Sequence, residues 1–509
     1  MRSRICIAAV AICLALSGCA PRARQPNSLV FLIENSPTNL DPRIGTDAQS
    51  ERIDALLFDG LVTRGANFEL QPSLAQSWEN PSPLRWIFHL RSGVHFHDGR
   101  AMTSRDVKWT LDSMRNHSII SAKTGAYAKV ASVETPDDAI VILNLSTPDP
   151  ALLWNLSDGA FGVVPAGSSK DFARHPVGTG AFEFVRQDMD KDVVIERASN
   201  SWHPPPGLER VTFAVVPDAI TRALELRKGS ADIALSSLTP DMVRALETDP
   251  RLQAISAPGT IVAYLAFNLR EPILSDVRVR QAIALAINRP LIIDTLLGGY
   301  ARPAASLLPP SHWAYDSGLA PTAFDPTEAN RILDAAGYKR DAQGMRFSLT
   351  IKTSTDETMR LFVAALQQQL RTVGIDLRLR SYEFATFYAD VVRGAFQMYS
   401  LRWIGGNEDP DIFHYAMASD QVPPKGANRG HYNNAELDAL LVSAAQAGTQ
   451  DERKADYIQV QKILARDLPA INLWYLDNVA VVNRRVHGVT LSPSGDYKFL
   501  ENVTVEEQK

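Results

Sequence analysis

Cysteine is nearly absent from this sequence. Only three cysteines occur in 509 residues, and two of them, Cys6 and Cys13, lie in an apolar segment at the N-terminus. If that segment is removed, Cys19 is the one thiol left, and no internal disulfide can form. The stability of the protein must then come from hydrophobic cores alone, which a chain of this length can provide.

Long hydrophobic runs are also missing. The run Ile5–Leu16 has 12 residues, which rise about 18 Å as a helix, whereas a hydrocarbon core is about 30 Å thick. Two arginines precede this run and small residues follow it, as is typical of an export signal. The string Leu16-Ser17-Gly18-Cys19 resembles a bacterial lipobox. This predicts a signal peptide over residues 1–18 and a lipidated Cys19, since two or more acyl chains anchor a protein stably to a membrane.

No dense cluster of Lys and Arg occurs in the chain. The formal net charge is -5, and it becomes -7 once Arg2 and Arg4 are removed with the signal. This balance argues against a nucleic-acid partner. The remaining 491 residues (509 minus 18) exceed what one core holds, so we expect two or three lobes.

Signatures of catalysis are missing as well. The sequence has no Ser-x-x-Lys, Gly-x-Ser-x-Gly or His-Glu-x-x-His string, so neither an activated serine nor a zinc protease site is indicated. His95 and His97 would share one face of a strand, but zinc needs three or four ligands and no matching pair follows. We therefore interpret this segment as a strand that ends in a turn at Asp98-Gly99. We expect no metal, no cofactor and no enzymatic activity.

What the sequence does contain is an α/β pattern. The apolar run Leu29–Ile33 predicts a strand buried on both faces. Short β-like runs then alternate with amphipathic helices. A capping box at Thr103–Asp106 begins one helix, and another extends from about 357 to 372 and stops at Gly374. We expect Arg278 and Arg280 to form salt bridges with inserted loops.

A series of longer strings resembles the family 5 extracellular solute-binding proteins, the group of oligopeptide, dipeptide and nickel receptors. The resemblance extends from about residue 29 to about residue 490. The strings that carry it are Asn39–Pro42, Phe58–Val62, Pro72–Trp78, Leu90–Gly99, Met102–Val107, Pro176–Gly180, Asp276–Ile283, Asp325-Pro326 and Asp409–Asp411.

This resemblance implies the fold. It is an α/β, periplasmic-binding-protein-like type II fold, with two main lobes joined by a two-segment hinge and an extra inserted α/β domain. The expected divisions are a tether at 19–28, lobe I at 29–50, 176–266 and 482–509, the inserted domain at 51–175, and lobe II at 267–481. The lobes would close on a ligand by a hinge motion.

The resemblance also implies the function. It is that of an extracytoplasmic lipoprotein receptor, acting as a monomer, which delivers a peptide or peptide-like solute to an ABC permease and its ATPase. A metal chelate, an oligosaccharide or an opine-like ligand stays open as an alternative. A lipid-anchored hydrolase is the alternative from another class, but the missing catalytic strings disfavour it.

The ligand-binding residues expected from the resemblance lie on two loops. Trp403 offers an apolar wall, and Gly406 stands where peptide receptors of this family carry an aspartate that pairs with the peptide ammonium. Asn407 and Asp409 are possible replacements for that aspartate. On the opposite lobe, Thr46 and Asp47 lie in a segment that meets the ligand backbone in family members, and Asp47 is another candidate partner for an ammonium group.

Overall fold

The computed structural model describes residues 26–65, 67–157, 159, 161–169, 171–405, 409–447 and 449–506. The signal peptide and the lipidated Cys19 predicted from the sequence lie outside the described residues, as do Gly406 and Asn407.

Nineteen strands are present in these ranges. In chain order they are β1 Ser28–Ile33, β2 Val62–Arg64, β3 Leu70–Pro72, β4 Ala75–Ser82, β5 Arg85–Leu90, β6 Val130–Asp137, β7 Ile140–Leu145, β8 Phe182–Asp188, β9 Asp192–Arg197, β10 Arg210–Val215, β11 Ile233–Leu235, β12 Leu252–Phe267, β13 Ala301–Pro303, β14 Phe347–Ser354, β15 Ile375–Tyr382, β16 Met398–Trp403, β17 Ala470–Asn483, β18 Val486–His487 and β19 Thr504–Val505.

Fourteen α-helices accompany these strands in the described part of the chain. They are α1 Ala48–Leu57, α2 Ser104–Arg115, α3 Leu152–Asn155, α4 Ala219–Lys228, α5 Pro240–Glu247, α6 Pro272–Ser275, α7 Val277–Ala286, α8 Arg289–Leu296, α9 Pro326–Ala335, α10 Glu357–Thr372, α11 Phe384–Val392, α12 Ile412–Met417, α13 Ala435–Gln446 and α14 Gln450–Asp467.

One sheet of eleven strands extends through both lobes. Ten of its strands lie in the order β15-β14-β16-β12-β17-β11-β1-β10-β9-β8, and β13 pairs with β17. The long strands β12 and β17 pair with each other antiparallel from Leu252↔Asn483 to Ala266↔Ala470, with a register shift between Pro258 and Val262. These two strands therefore connect the lobes, and their pairing is interrupted near the centre, where the ladder is locally disrupted.

The three largest hydrophobic cores of the described residues lie in three different parts of the molecule. The lobe I core gathers β1, β8–β11 and the C-terminal segment around Phe31, Phe213 and Tyr497. The inserted-domain core lies between α2 and the four-stranded sheet β4-β5-β7-β6. The lobe II core lies between α7–α10 and the strands β12, β14–β17. The fold is that of a two-lobed binding protein with an inserted domain, while the exact divisions drawn from the sequence stay a prediction.

Local signals in the sequence placed several elements correctly. Strand β1 is buried between parallel neighbours β10 and β11. The helix α2 begins at a capping box in which the Asp106 carboxylate accepts the Thr103 N–H at 2.8 Å. The helix α10 ends ahead of Gly374, whose φ of +84° suits a residue without a side chain.

The expectation for Arg278 and Arg280 was wrong. Arg278 pairs with Asp276 at the start of its own helix, at 2.8 Å. Arg280 is buried and donates to the carbonyls of residues 274, 275, 467 and 468 instead of to a carboxylate on an inserted loop. A buried guanidinium can satisfy several helix-end carbonyls at once, which explains its position.

The histidine segment contacts backbone groups. His97 Nε2 donates to the Gly180 carbonyl at 3.1 Å, and its Nδ1 accepts the Gly178 N–H at 3.2 Å. Burial lowers the pKa of His97, so the ring is neutral with Nε2 protonated. Across the described ranges, no group of three or more His, Cys, Asp or Glu side chains is arranged to hold a metal ion, and no helix is both long and apolar enough to cross a bilayer.

Candidate ligand-binding cleft

The strand ends of the two lobes face each other across the centre of β12 and β17. In lobe I, β1 is parallel to β10 and β11, and β11 runs antiparallel to β17 so that its C-terminal end points towards lobe II. In lobe II, β14 is parallel to β15 and β16, and β16 runs antiparallel to β12 so that its C-terminal end points towards lobe I. Ligands of open α/β sheets bind beyond the carboxyl ends of strands, so this register defines an interlobe cleft.

A buried arginine organises the lobe I side of the cleft. Arg222 lies on α4 and donates to the carbonyls of Val216 at 2.6 Å, Pro217 at 2.8 Å and Ser237 at 2.5 Å. Its guanidinium also lies 3.3 Å from Glu34, which follows β1. Because these partners follow β10, β11 and β1, one side chain holds together the three connections at the carboxyl edge of the lobe I strands.

Aromatic rings and an arginine form the lobe II side. Trp403 ends β16 and stacks on Tyr264 of β12, with ring centroids 5.7 Å apart and planes 18° from parallel. The Arg429 guanidinium lies 5.6 Å from the Trp403 ring centre and donates to the phenol oxygens of Tyr264 at 3.3 Å and Tyr388 at 3.0 Å. Burial raises the pKa of Tyr264 well above its ordinary value, so this phenol stays neutral. Tyr264 and Arg429 are buried, so the accessible surface of this wall is that of the Trp403 and Tyr388 rings, which suits a planar group.

Asp47 is held within lobe I by its own neighbours. It is the N-cap of α1, and its carboxylate accepts the Ser50 N–H at 3.0 Å, the Thr38 N–H at 3.2 Å and both of their hydroxyls. Burial opposes its charge, but the hydrogen bonds from Ser50 and Thr38 outweigh burial and lower the pKa of Asp47. The ammonium group of a ligand would therefore meet a carboxylate that already accepts hydrogen bonds from Ser50 and Thr38. Thr46, one residue earlier, is exposed.

Asp409 lies beside Arg453 of α14. Its Oδ1 is 3.6 Å from Arg453 Nη2 and accepts the Asp411 N–H at 2.8 Å. Burial raises the pKa of Asp409 to about 6, and the attraction of Arg453 limits the rise. The residue lines a cavity against the inserted domain, so it lies where lobe II meets that domain.

Sequence reasoning missed three of these side chains. Arg222, Tyr264 and Arg429 stand in a helix, a crossing strand and a loop with no short motif around them. Their roles depend on partners that are far away in the chain, such as Tyr264 and Arg429, 165 residues apart. Trp403 was predicted because its neighbours form a string that resembles the family.

Two lobes on a pair of crossing strands, with the strand ends facing inward, are the architecture of a type II solute-binding protein. The family model of the bacterial extracellular solute-binding proteins, family 5, matches residues 69–423, which is more than half of the chain. The chain belongs to this family.

Individual relatives bind different ligands. The chain is similar to heme-binding protein A of Haemophilus influenzae, with 28% identity over 515 residues that cover 95% of this chain and 93% of the relative. It is also similar to di/tripeptide-binding protein 3 of Pseudomonas aeruginosa, with 28% identity over 508 residues, covering 93% and 94%. Among solved structures, NikA from Brucella suis in complex with Fe(III)-EDTA matches with a TM-score of 0.82 and 25% identity, covering 94% of this chain and all of that one. These relatives are binding proteins rather than enzymes.

Proposed function

We propose that this protein is the extracytoplasmic receptor of an ABC importer, anchored through a lipidated Cys19, and that it carries a peptide or peptide-like solute to the permease. The observation that carries this proposal is the interlobe cleft, because two lobes joined by only two strands can open for a free solute and close on it. The protein acts by binding and release, without a chemical step of its own.

The lobe II wall supports a peptide-like ligand. The accessible Trp403 and Tyr388 rings offer flat apolar surface, and the cation of the buried Arg429 lies against both of them. Gly406 supplies no side-chain carboxylate for an ammonium group. A metal chelate is the second candidate, since the Arg429 cation lies against the ring of Trp403 and a similar structure holds Fe(III)-EDTA.

Native mass spectrometry of the protein without residues 1–19, as purified from its host, tests the ligand class. We expect a co-purifying peptide, and a thermal-shift screen with synthetic peptides should then add about 2.7 kcal/mol of stability at 100 times the dissociation constant. A chelate or a sugar in the mass spectrum, with no response to peptides, would favour the alternative ligands.

The peptide terminus is tested by acetylation. If a free N-terminus is recognised by a carboxylate such as Asp47 or Asp409, N-acetylation should weaken binding by about 2 kcal/mol. Equal affinity for free and acetylated peptides would exclude recognition through the ammonium group.

The anchor is tested by replacing the thiol. In cells fed a labelled fatty acid, the full chain should carry label and sediment with membranes, whereas Cys19→Ala should carry none. Cys13→Ala, within the signal, is the matched control and should remain labelled.

A further inference from the structure

A cavity of about 350 Å³ lies between the inserted domain and lobe II. Trp78, Trp86 and Trp154 line it from the inserted domain, and Trp313 and Arg453 line it from lobe II. The two parts touch next to this cavity, where Phe68 stacks on His312 with ring centroids 5.4 Å apart. The cavity thus depends on the inserted domain and lobe II being in contact.

The walls of this cavity are unusually aromatic. Four of the eight tryptophans in the chain line it, and all four are only partly buried. Each ring therefore keeps surface that a bound group could cover. Ligand pockets have volumes of about 300–1,000 Å³, and a cavity of about 150 Å³ in another protein accepts benzene. The space suits one ring system the size of a side chain.

Each carboxylate that lines the cavity has a cation or a hydrogen-bond donor beside it. Asp409 faces Arg453 at 3.6 Å, and Asp149 lies 3.3 Å from Lys129. The remaining carboxylate in the lining, Glu69, accepts from the Gln71 amide at 2.9 Å. One further cation, that of Arg64, lies 4.2 Å from the Trp154 ring centre. The three carboxylates of the lining thus already have a cation or a donor of the protein beside them, so a group entering this space needs no charge.

We propose that this cavity is a binding site for an uncharged aromatic ring of the solute. Trp403 of the cleft wall and Trp313 of the cavity lining pack against the same hydrophobic cluster of lobe II, and the ring is assigned to a side chain of the solute. The assignment of the ring to the solute rests on the proposed function. A bound ring contacts the inserted domain and lobe II together, and it therefore favours the closed arrangement of the molecule.

Indole is the probe that tests this site without assuming any solute. Titration by calorimetry should show saturable binding of indole to the wild-type protein. Ala445→Phe, which fills the cavity from α13, should weaken indole binding at least ten-fold, as should Trp313→Ala. The controls are Val442→Phe, at an exposed position of the same helix, and Trp109→Ala, on the exposed face of α2; both should bind indole as the wild type does.

Folding is checked by thermal melting of each variant, and Trp313→Phe should recover part of the affinity that Trp313→Ala loses. The proposed site would be wrong if the wild-type protein did not bind indole. It would also be wrong if Ala445→Phe bound indole with unchanged affinity.

Peptides then separate this inference from the proposed function. A peptide with one Phe should bind at least ten-fold more tightly than its Ala counterpart, and this ratio should fall to near one in Ala445→Phe. Saturable indole binding without any peptide binding would contradict the proposed function and leave the aromatic site standing. Peptide binding with a Phe-to-Ala ratio that Ala445→Phe does not change would contradict the site and leave the function standing.

Discussion

A buried carboxylate on α1 has no hydrogen-bond partner. Asp54 is 2% exposed, and neither of its carboxylate oxygens accepts a hydrogen bond. Burial raises its pKa well above the ordinary value, and the attraction of Lys123 opposes this only partly. For an acid with a raised pKa in the folded state, the folded protein holds the proton more tightly than the unfolded chain. Stability therefore falls as pH rises from the unfolded pKa to the folded one.

Asp54→Asn should remove this cost of ionisation. At pH 8 we expect the variant to be more stable than the wild type by about 1 kcal/mol or more, because an amide needs no counter-charge. At pH 4 the two proteins should be nearly equal. Urea unfolding at both pH values measures this, and a variant less stable at pH 8 would mean that the attraction to Lys123 dominates.

Arg222 offers a second test at the level of single residues. Arg222→Lys keeps the charge but lacks the planar fork that reaches three carbonyls. We expect a loss of about 2 kcal/mol in the free energy of unfolding, because buried carbonyls lose charged donors. Arg227→Lys, at an exposed position of the same helix, is the control and should lie within about 0.5 kcal/mol of the wild type. Equal losses in both variants would contradict the role given to Arg222.

At the scale of elements, the turn that follows the inserted domain packs its backbone directly against the end of α1. A Cβ on Gly178 would lie 1.9 Å from the Leu57 carbonyl oxygen, at the end of α1. Gly178→Ala should therefore cost about 3 kcal/mol, measured by thermal unfolding. Gly125→Ala is the control, since a Cβ at Gly125 meets nothing within 4 Å, and it should change stability little. A mild effect at Gly178 would show that this junction can shift apart.

Elements were more predictable than the site, for a physical reason. The start of α2 and the end of α10 are set by residues within one turn of the boundary, Thr103, Asp106 and Gly374, so a short window of sequence contains the cause. The cleft wall is different, because Trp403, Tyr264 and Arg429 meet only through the register of β12 with β16 and through a distant loop. No local pattern carries that information, and resemblance to the family supplied Trp403 alone.

At the scale of the whole molecule, strand β17 is part of the sheet in both lobes. Strand β17 pairs with β11 of lobe I and with β12 and β13 in lobe II. Deleting residues 470–509 should therefore abolish cooperative unfolding of both lobes, as measured by calorimetry, because each loses a central strand. Deleting only residues 507–509 should leave the transition unchanged. A surviving transition from lobe I in the longer deletion would show that this lobe is autonomous.

The position of β17 also sets an order of events during biosynthesis. Strand β17 is the last strand of the large sheet to leave the ribosome, and both large cores contain side chains from it, so neither core can be completed before it emerges. Until β17 emerges, β11 and β12 lack the neighbour that they pair with in the folded protein.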